Sequence, residues 1–371
     1  MEMAVNRVAN DAAKVASLVD LFNGVPNRDL IRNLEVSMSA VQIGGRSFPV
    51  SHNDRGSATC YINCPSTAYI AYAIDETRNF MSVPLLRSAM IGLIRACAPL
   101  VRASGLDHQV QINNWLYSTN PVPLIDSTLA AEMRDRMVAQ NPTRAVVIRS
   151  LNDIADQASI AALRAAGFIM LPARQLYIFP ADGGARRMRN HMKTDRALLR
   201  DTPFHLAEDD SFTGADYARA QQLYDMLYLD KYTPLNPQYT ARYLAEMHAR
   251  RILQMRGLRD GDNVLVAVTA LFENGRTLTQ PIVGYDTGLP LKAGLYRMVM
   301  AMAQDHAMAH GLFFNMSAGA GEFKRNRGAV PAIEYSAVYA RHLPRRQRAA
   351  IRAMQGVLAG IGIPLLRRFE L

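Results

Sequence analysis

Cysteine is scarce in this chain, and long apolar runs are missing. Its three cysteines, Cys60, Cys64 and Cys97, form an odd set without a CxxC pair. That excludes a disulfide framework and a cysteine-ligated zinc site, and leaves them as small packing residues. No stretch reaches the roughly 20 uninterrupted apolar residues of a membrane span. The opening residues, MEMAVNRVANDAAKVASLVDLF, carry acids and lack a signal-peptide layout. No membrane span and a cytoplasmic location are therefore expected. His306 and His310 stand four apart without an HExxH pattern, so no metal is expected, and Ser317 lacks the leading glycine of a GxSxG elbow. The long polar tracts of a disordered chain are missing too.

What is present is 371 residues, enough for two domains at roughly 100 to 200 residues each, and a net charge of +10 that favours anionic partners. Such partners include a phosphate-bearing cofactor, RNA or an acidic substrate. After an N-terminal helical stretch, SATCYINC (57–64) and AYIAYAID (68–75) read as short strands. The run from 83 to 103 is apolar at helical spacing, with Pro99 ending or kinking it. A strand (108–116), a helix (126–139), a strand (144–151), a helix (153–166) and an extended segment (167–180) follow. This alternation predicts an α/β sheet with helices on its faces.

The composition changes at ADGGARRMRNHMKTDRALLR (181–200), where a domain junction is placed, giving units of 1–180 and 181–371. Its arginines and lysine read either as a solvated linker helix or as a surface that meets phosphates. Helical stretches at 213–229 and 237–256 lead to strands at 262–272 and 277–286, joined through the hairpin signal Asn274-Gly275. Then come the loop TGLPLKAG (287–294), a helix from Leu295 to His310, the strand LFFNMS (312–317), a short helix near 321–327, the strand 332–340 and a basic helix opened by Pro344. Each half has a strand, a long helix and a strand ending near an asparagine, Asn113 or Asn315, which suggests duplication.

Three junctions in the second half can carry chemistry. The loop before the long helix offers Lys292 and the flexible Gly288 and Gly294, and reads as an anion seat or as a plain turn. In TLTQPIVGYD, Pro281 and Gly284 predict a bulged or splayed strand whose free N–H groups, around Val283 and Gly284, would hold a developing oxyanion. Tyr285 can donate a proton there and Asp286 can accept one. The adjoining FNMSAGAGEFKRNRGAVP sets small residues, Glu322 and Lys324 at the same crevice. The methionines 298, 300, 302 and 308 read as core, and Tyr224, Tyr228 and Tyr232 as a packed helix face or an acceptor pocket.

On RRMRNHMK, VGYDTGLPLKAGLYR and FNMSAGAGEFKRNRGAVP, residues 185–345 resemble GNAT-fold acyltransferases of the type fused in pairs, including the Fem-like aminoacyltransferases. In the last motif Asn315 takes the acidic position, Gly319 and Gly321 the glycines, Phe323 the aromatic and Lys324 the lysine. The resemblance implies an α/β (α+β) fold of two tandem GNAT-like domains, each a mixed central sheet with helices on both faces. It implies N-acyl transfer to a small-molecule amine, with Tyr285, Asp286, Asn315, Glu322 and Lys324 at the reaction centre. Val283, Gly284, Leu291, Lys292, Ala293 and Gly294 would face the donor. The family's pyrophosphate loop is absent before the long helix, so the activated donor stays open among acyl-CoA, a carrier-protein thioester and aminoacyl-tRNA. A non-catalytic RNA-binding or scaffold protein is the alternative that the charge leaves standing.

Overall fold

The computed structural model describes residues 2–53, 59–182 and 190–369. Arg186, Arg187 and Arg189 of the basic run lie outside them, as do residues 57 and 58 of the first expected strand. Among the described residues eleven strands form one mixed sheet: β1 (Ser37–Ile43), β2 (Arg46–His52), β3 (Gln109–Ile112), β4 (Ala145–Asn152), β5 (Ile169–Phe179), β6 (His205–Ala207), β7 (Gln254–Arg259), β8 (Leu265–Asn274), β9 (Thr277–Tyr285), β10 (Phe313–Asn315) and β11 (Val330–Tyr339). The helices of the first half are α1 (Glu2–Gly24), α2 (Asn27–Leu30), α3 (Ala73–Phe80), α4 (Pro84–Ala96), α5 (Ala98–Ser104), α6 (Ser127–Gln140) and α7 (Gln157–Ala165). Those of the second are α8 (Asn190–Arg200), α9 (Gly214–Asp225), α10 (Ala241–Ala249), α11 (Leu295–Ala309), α12 (Gly321–Asn326), α13 (Arg345–Val357) and α14 (Ile363–Phe369).

The strand order is β1-β2-β3-β4-β11-β5-β10-β9-β8-β7-β6. Two pairs are parallel, β3 with β4 and β9 with β10, and every other neighbour is antiparallel. Read outward from the β11–β5 pair, both sides run antiparallel, parallel, antiparallel, antiparallel, and β6 adds one further strand at the second edge. The last strand of each half is thus exchanged: β11 lies beside β4, and β5 lies beside β10. The expected mixed sheet with helices on both faces is present, because alternate residues of one strand enter different cores. Val146 and Ile148 pack with α6 and α7, whereas Ala145 and Val147 pack with α5 and α13. In the second half Val268 and Ala270 meet α9 and α10, and Val266 meets α11. Met298, Met300 and Met302 are buried there, as core residues should be.

Several expectations at the element level are corrected. Residues 68–75 form no strand: a π-helical turn, Thr67–Tyr72, runs into α3, and the described part of 57–64 is turn and irregular chain. Short apolar runs do not separate helix from strand, and packing decides here. The hairpin β1–β2 is an addition to the expected strands, and its two glycines, Gly44 (φ 56°) and Gly45 (φ 72°), supply the left-handed turn it needs. The helix expected over 237–256 stops at Ala249, and after a turn at 250–253 the chain enters β7 at Gln254.

Pro99 breaks its helix as expected, with Cys97 between α4 and α5. Two helical stretches, Pro84–Ser104 and Arg345–Phe369, are long and apolar enough by length and composition to cross a membrane. Each is interrupted by arginines, and 11% and 17% of their apolar windows are buried.

Candidate active site

The parallel pair β9–β10 ends unevenly. Asn315 closes β10 opposite Thr279, while β9 runs on to Tyr285 beside β8 alone. The register against β8 slips between Ala270 and Phe272, so Gln280 and Pro281 form the bulge that the proline predicts. Past the bulge, the Asp286 N–H donates to the Val266 carbonyl at 2.9 Å. Residues of an antiparallel strand bond alternately to either side. Gly284 and Ile282 therefore face β8, and the N–H of Val283 turns away from it, toward the gap left by β10.

That gap is a cleft of 390 Å³, to which Tyr285, Val283, Asn315 and Lys324 all contribute. Lys324, on α12, is buried at 2% exposure. Its Nζ donates to the carbonyls of Ser317 (3.1 Å) and Ala318 (2.8 Å) and lies 5.6 Å from the centre of the Tyr177 ring. Burial, with the charge of Arg174 adding to it, lowers its pKa to about 7. The amine thus stands at the edge of its neutral form near physiological pH, as a general base requires.

The glycine-rich turn holds that lysine in place. Ser317 (φ 61°), Gly319 (φ 74°) and Ala320 (φ 50°) are all left-handed, a costly conformation for the serine and the alanine. Asn315 supports it: buried at 2% exposure, its Oδ1 accepts the Ser317 N–H at 3.0 Å. Asp195 of α8 bonds Arg297 of α11 and Arg327 just after α12, and so ties the three helices together. Tyr285 is half-buried, and burial raises its hydroxyl above the ordinary range, which keeps it protonated.

Other sequence-predicted residues stand elsewhere. The Asp286 carboxylate pairs with Arg219 (2.7 Å) and accepts the Gly288 N–H (2.9 Å), outside the cleft lining. Glu322 is exposed on α12. Gly284 packs on α9, where a Cβ would sit 2.7 Å from the backbone of Leu223 and Tyr224. Gly294 (φ 69°) starts α11 and packs on Leu198, with Ala293 half-buried beside it. Leu291 (92% exposed) and Lys292 lie on the surface of that loop.

Sequence reading missed the part of the far wall that comes from the first half, and offered Tyr228 and Tyr232 only as an alternative to a packed helix face. Tyr61, Tyr72, Glu76 and Arg174 close the cleft from the first half of the chain, and Tyr228 and Tyr232 line it from the second. Arg174 and Glu334 form a buried ion pair at 2.6 Å, with further bonds from Arg174 to Tyr61 Oη and the Ser118 carbonyl. Burial pushes the Glu76 carboxyl up from its ordinary value. The tyrosine spacing was a readable signal; Glu76 was hidden by the strand reading of the segment before it.

No protein-family model matches the chain, and no curated protein does. Among solved structures it is similar to L-PGS from Bacillus licheniformis, at 13% identity over 62% of this chain and 78% of that one, TM-score 0.42. FemX is 8% identical over 62% of this chain and 81% of that one, TM-score 0.44. A tandem GNAT protein from the clavulanic acid biosynthesis pathway is 10% identical over 62% and 75%, TM-score 0.35. These neighbours are GNAT-fold proteins.

Proposed function

We propose that this protein is an N-acyltransferase that moves an acyl group from an activated donor to a small-molecule amine. The observation that carries this reading is Lys324, buried with a pKa lowered to about 7 in a cleft that also receives the N–H of Val283. A base and an oxyanion donor at one cleft are what attack of an amine on a carbonyl needs. Lys324 Nζ takes the proton of the acceptor ammonium, and the freed amine attacks the acyl carbon. The Val283 N–H holds the oxyanion; as the intermediate collapses the Tyr285 hydroxyl protonates the departing sulfur or oxygen, and its oxygen takes back the proton that the attacking nitrogen, now positively charged, releases to become the neutral amide. We give Lys324 the role of base, for which the sequence offers Asp286 or Glu322 acting through a water, because of these three it alone is in the cleft lining. Asn315 serves by holding the turn.

Donors of three kinds fit: acyl-CoA, a carrier-protein thioester and aminoacyl-tRNA, with the run Leu291 to Gly294 as the place where a donor phosphate would approach α11. All three belong to the cytoplasm, the location we assign. We treat 1–180 and 181–371 as two copies of one unit, the second bearing the reaction centre.

Calorimetric titration with coenzyme A and acetyl-coenzyme A tests the donor. Binding that Lys292→Glu weakens supports acyl-CoA at this loop, and no binding shifts the donor to a carrier protein or aminoacyl-tRNA. Absence of transfer with all three donors and a panel of amines would overturn the reading.

A further inference from the structure

A second cavity, of 230 Å³, adjoins the reaction cleft, and four residues, Tyr61, Tyr72, Glu76 and Arg174, line both. Its outer wall is aliphatic: Leu93 and Ile94 of α4 face Leu358, Ile361 and Leu365 from the turn between α13 and α14 and from α14 itself. Leu93 and Ile361 remain 39% and 44% exposed, so this wall is open and unfilled by the protein's own core. Two π-helical turns, Thr67–Tyr72 and Leu358–Gly362, border the cavity, and a third, Met226–Asp230, borders the cleft through Leu227 and Tyr228. Such turns widen a helix and concentrate at functional sites.

The inner end is different in chemistry. Arg149 reaches it with Nη1 buried and unbonded, beside the Arg174–Glu334 pair. An unused N–H donor at the end of an aliphatic cavity suits a carbonyl or carboxylate oxygen and repels an ammonium. We infer that this cavity binds the hydrocarbon chain of a fatty acyl group, with its carbonyl end directed past Arg149 and Glu76 into the reaction cleft. The inference rests on the acyl-transfer reading and narrows its donor to a long-chain one.

The test is calorimetric titration of the full chain with fatty acids from butanoate to dodecanoate. Each added pair of methylenes should tighten binding about tenfold until the cavity is filled. Ala173 and Ser336, on β5 and β11, line the cavity without being buried. Ala173→Trp and Ser336→Trp should each weaken dodecanoate at least tenfold, leave butanoate unchanged and keep the melting temperature. Dodecyltrimethylammonium should bind at least tenfold more weakly than dodecanoate. A series flat in chain length, plugs that act on short and long acids alike, or an ammonium bound as tightly as the acid would overturn the inference. So would self-association, seen by light scattering, that covers α4 and excludes dodecanoate, since it places a second copy there. The readout is equilibrium binding, so failure to find turnover counts against acyl transfer and leaves the chain-length result standing.

Discussion

Lys324 combines three conditions that rarely meet in one side chain: burial, two carbonyl acceptors and, among the described residues, no carboxylate partner. Its pKa of about 7 has two consequences of calculable sign. The neutral base exists above that value, so turnover should fall as pH drops through about 7, and Lys324→Met should lower kcat by about 10²- to 10⁴-fold at pH 8. The second concerns stability. Between about 7 and the ordinary lysine value of 10.5, the unfolded chain holds the proton and the folded one does not. Stability from this group therefore rises with pH across that window and is flat below it. The melting temperature of the wild type, minus that of Lys324→Met, should be larger at pH 9.5 than at pH 7. The lysine was legible in the sequence through its motif; its depressed pKa was not, because the Tyr177 ring beside it and the Arg174 charge that adds to the effect of burial both come from the other half.

At the scale of elements, the cleft exists because β9 outlasts β10. Pro281 cannot donate in the ladder, the bulge follows, and the strand beyond it keeps β8 as its only partner among the described residues. Gly284 then lets α9 approach so closely that any side chain would collide with its backbone. Gly284→Ala should cost about 1 to 3 kcal/mol, measured by denaturant unfolding, because backbone atoms cannot rotate away as a side chain can. The same glycine reads in the sequence as a donor contact, since a pattern shows that backbone must come close to something and not to what. The hairpin through Asn274-Gly275 and the long helix of buried methionines were readable because their causes are local. The helix over 73–80 and the strand β7 were not, since neighbours chose between conformations that the residues themselves leave nearly balanced.

The exchange of β5 and β11 makes the molecule one cooperative body. Each half lacks a strand that its partner supplies, and the Arg174–Glu334 pair, 160 residues apart in the chain, seals the crossing. Breaking that pair should be costly, because the surviving charge stays buried: Glu334→Gln should destabilise by about 3 to 5 kcal/mol, and Arg174→Met with Glu334→Leu should recover most of it. Thermal melting of the single and double variants decides this. Expressed separately, residues 1–180 and 181–371 should each fail to show a cooperative melt, and co-expression should restore one. Two halves that fold independently would contradict the exchange.

The amino-acid sequence alone determined the alternation of strands and helices, the splay at Pro281, and the turn that ends in Lys324. All depend on interactions within a few residues: the φ of glycine, the missing N–H of proline, the period of apolar side chains. Tertiary structure decided what the cleft faces and what adjoins it. Glu76, Arg174 and the open aliphatic cavity come from segments far apart in sequence, and their meeting depends on where the exchanged strands place them. Desolvation, which lowers the pKa of an ordinary lysine, is a property of the assembled surroundings and has no local signature.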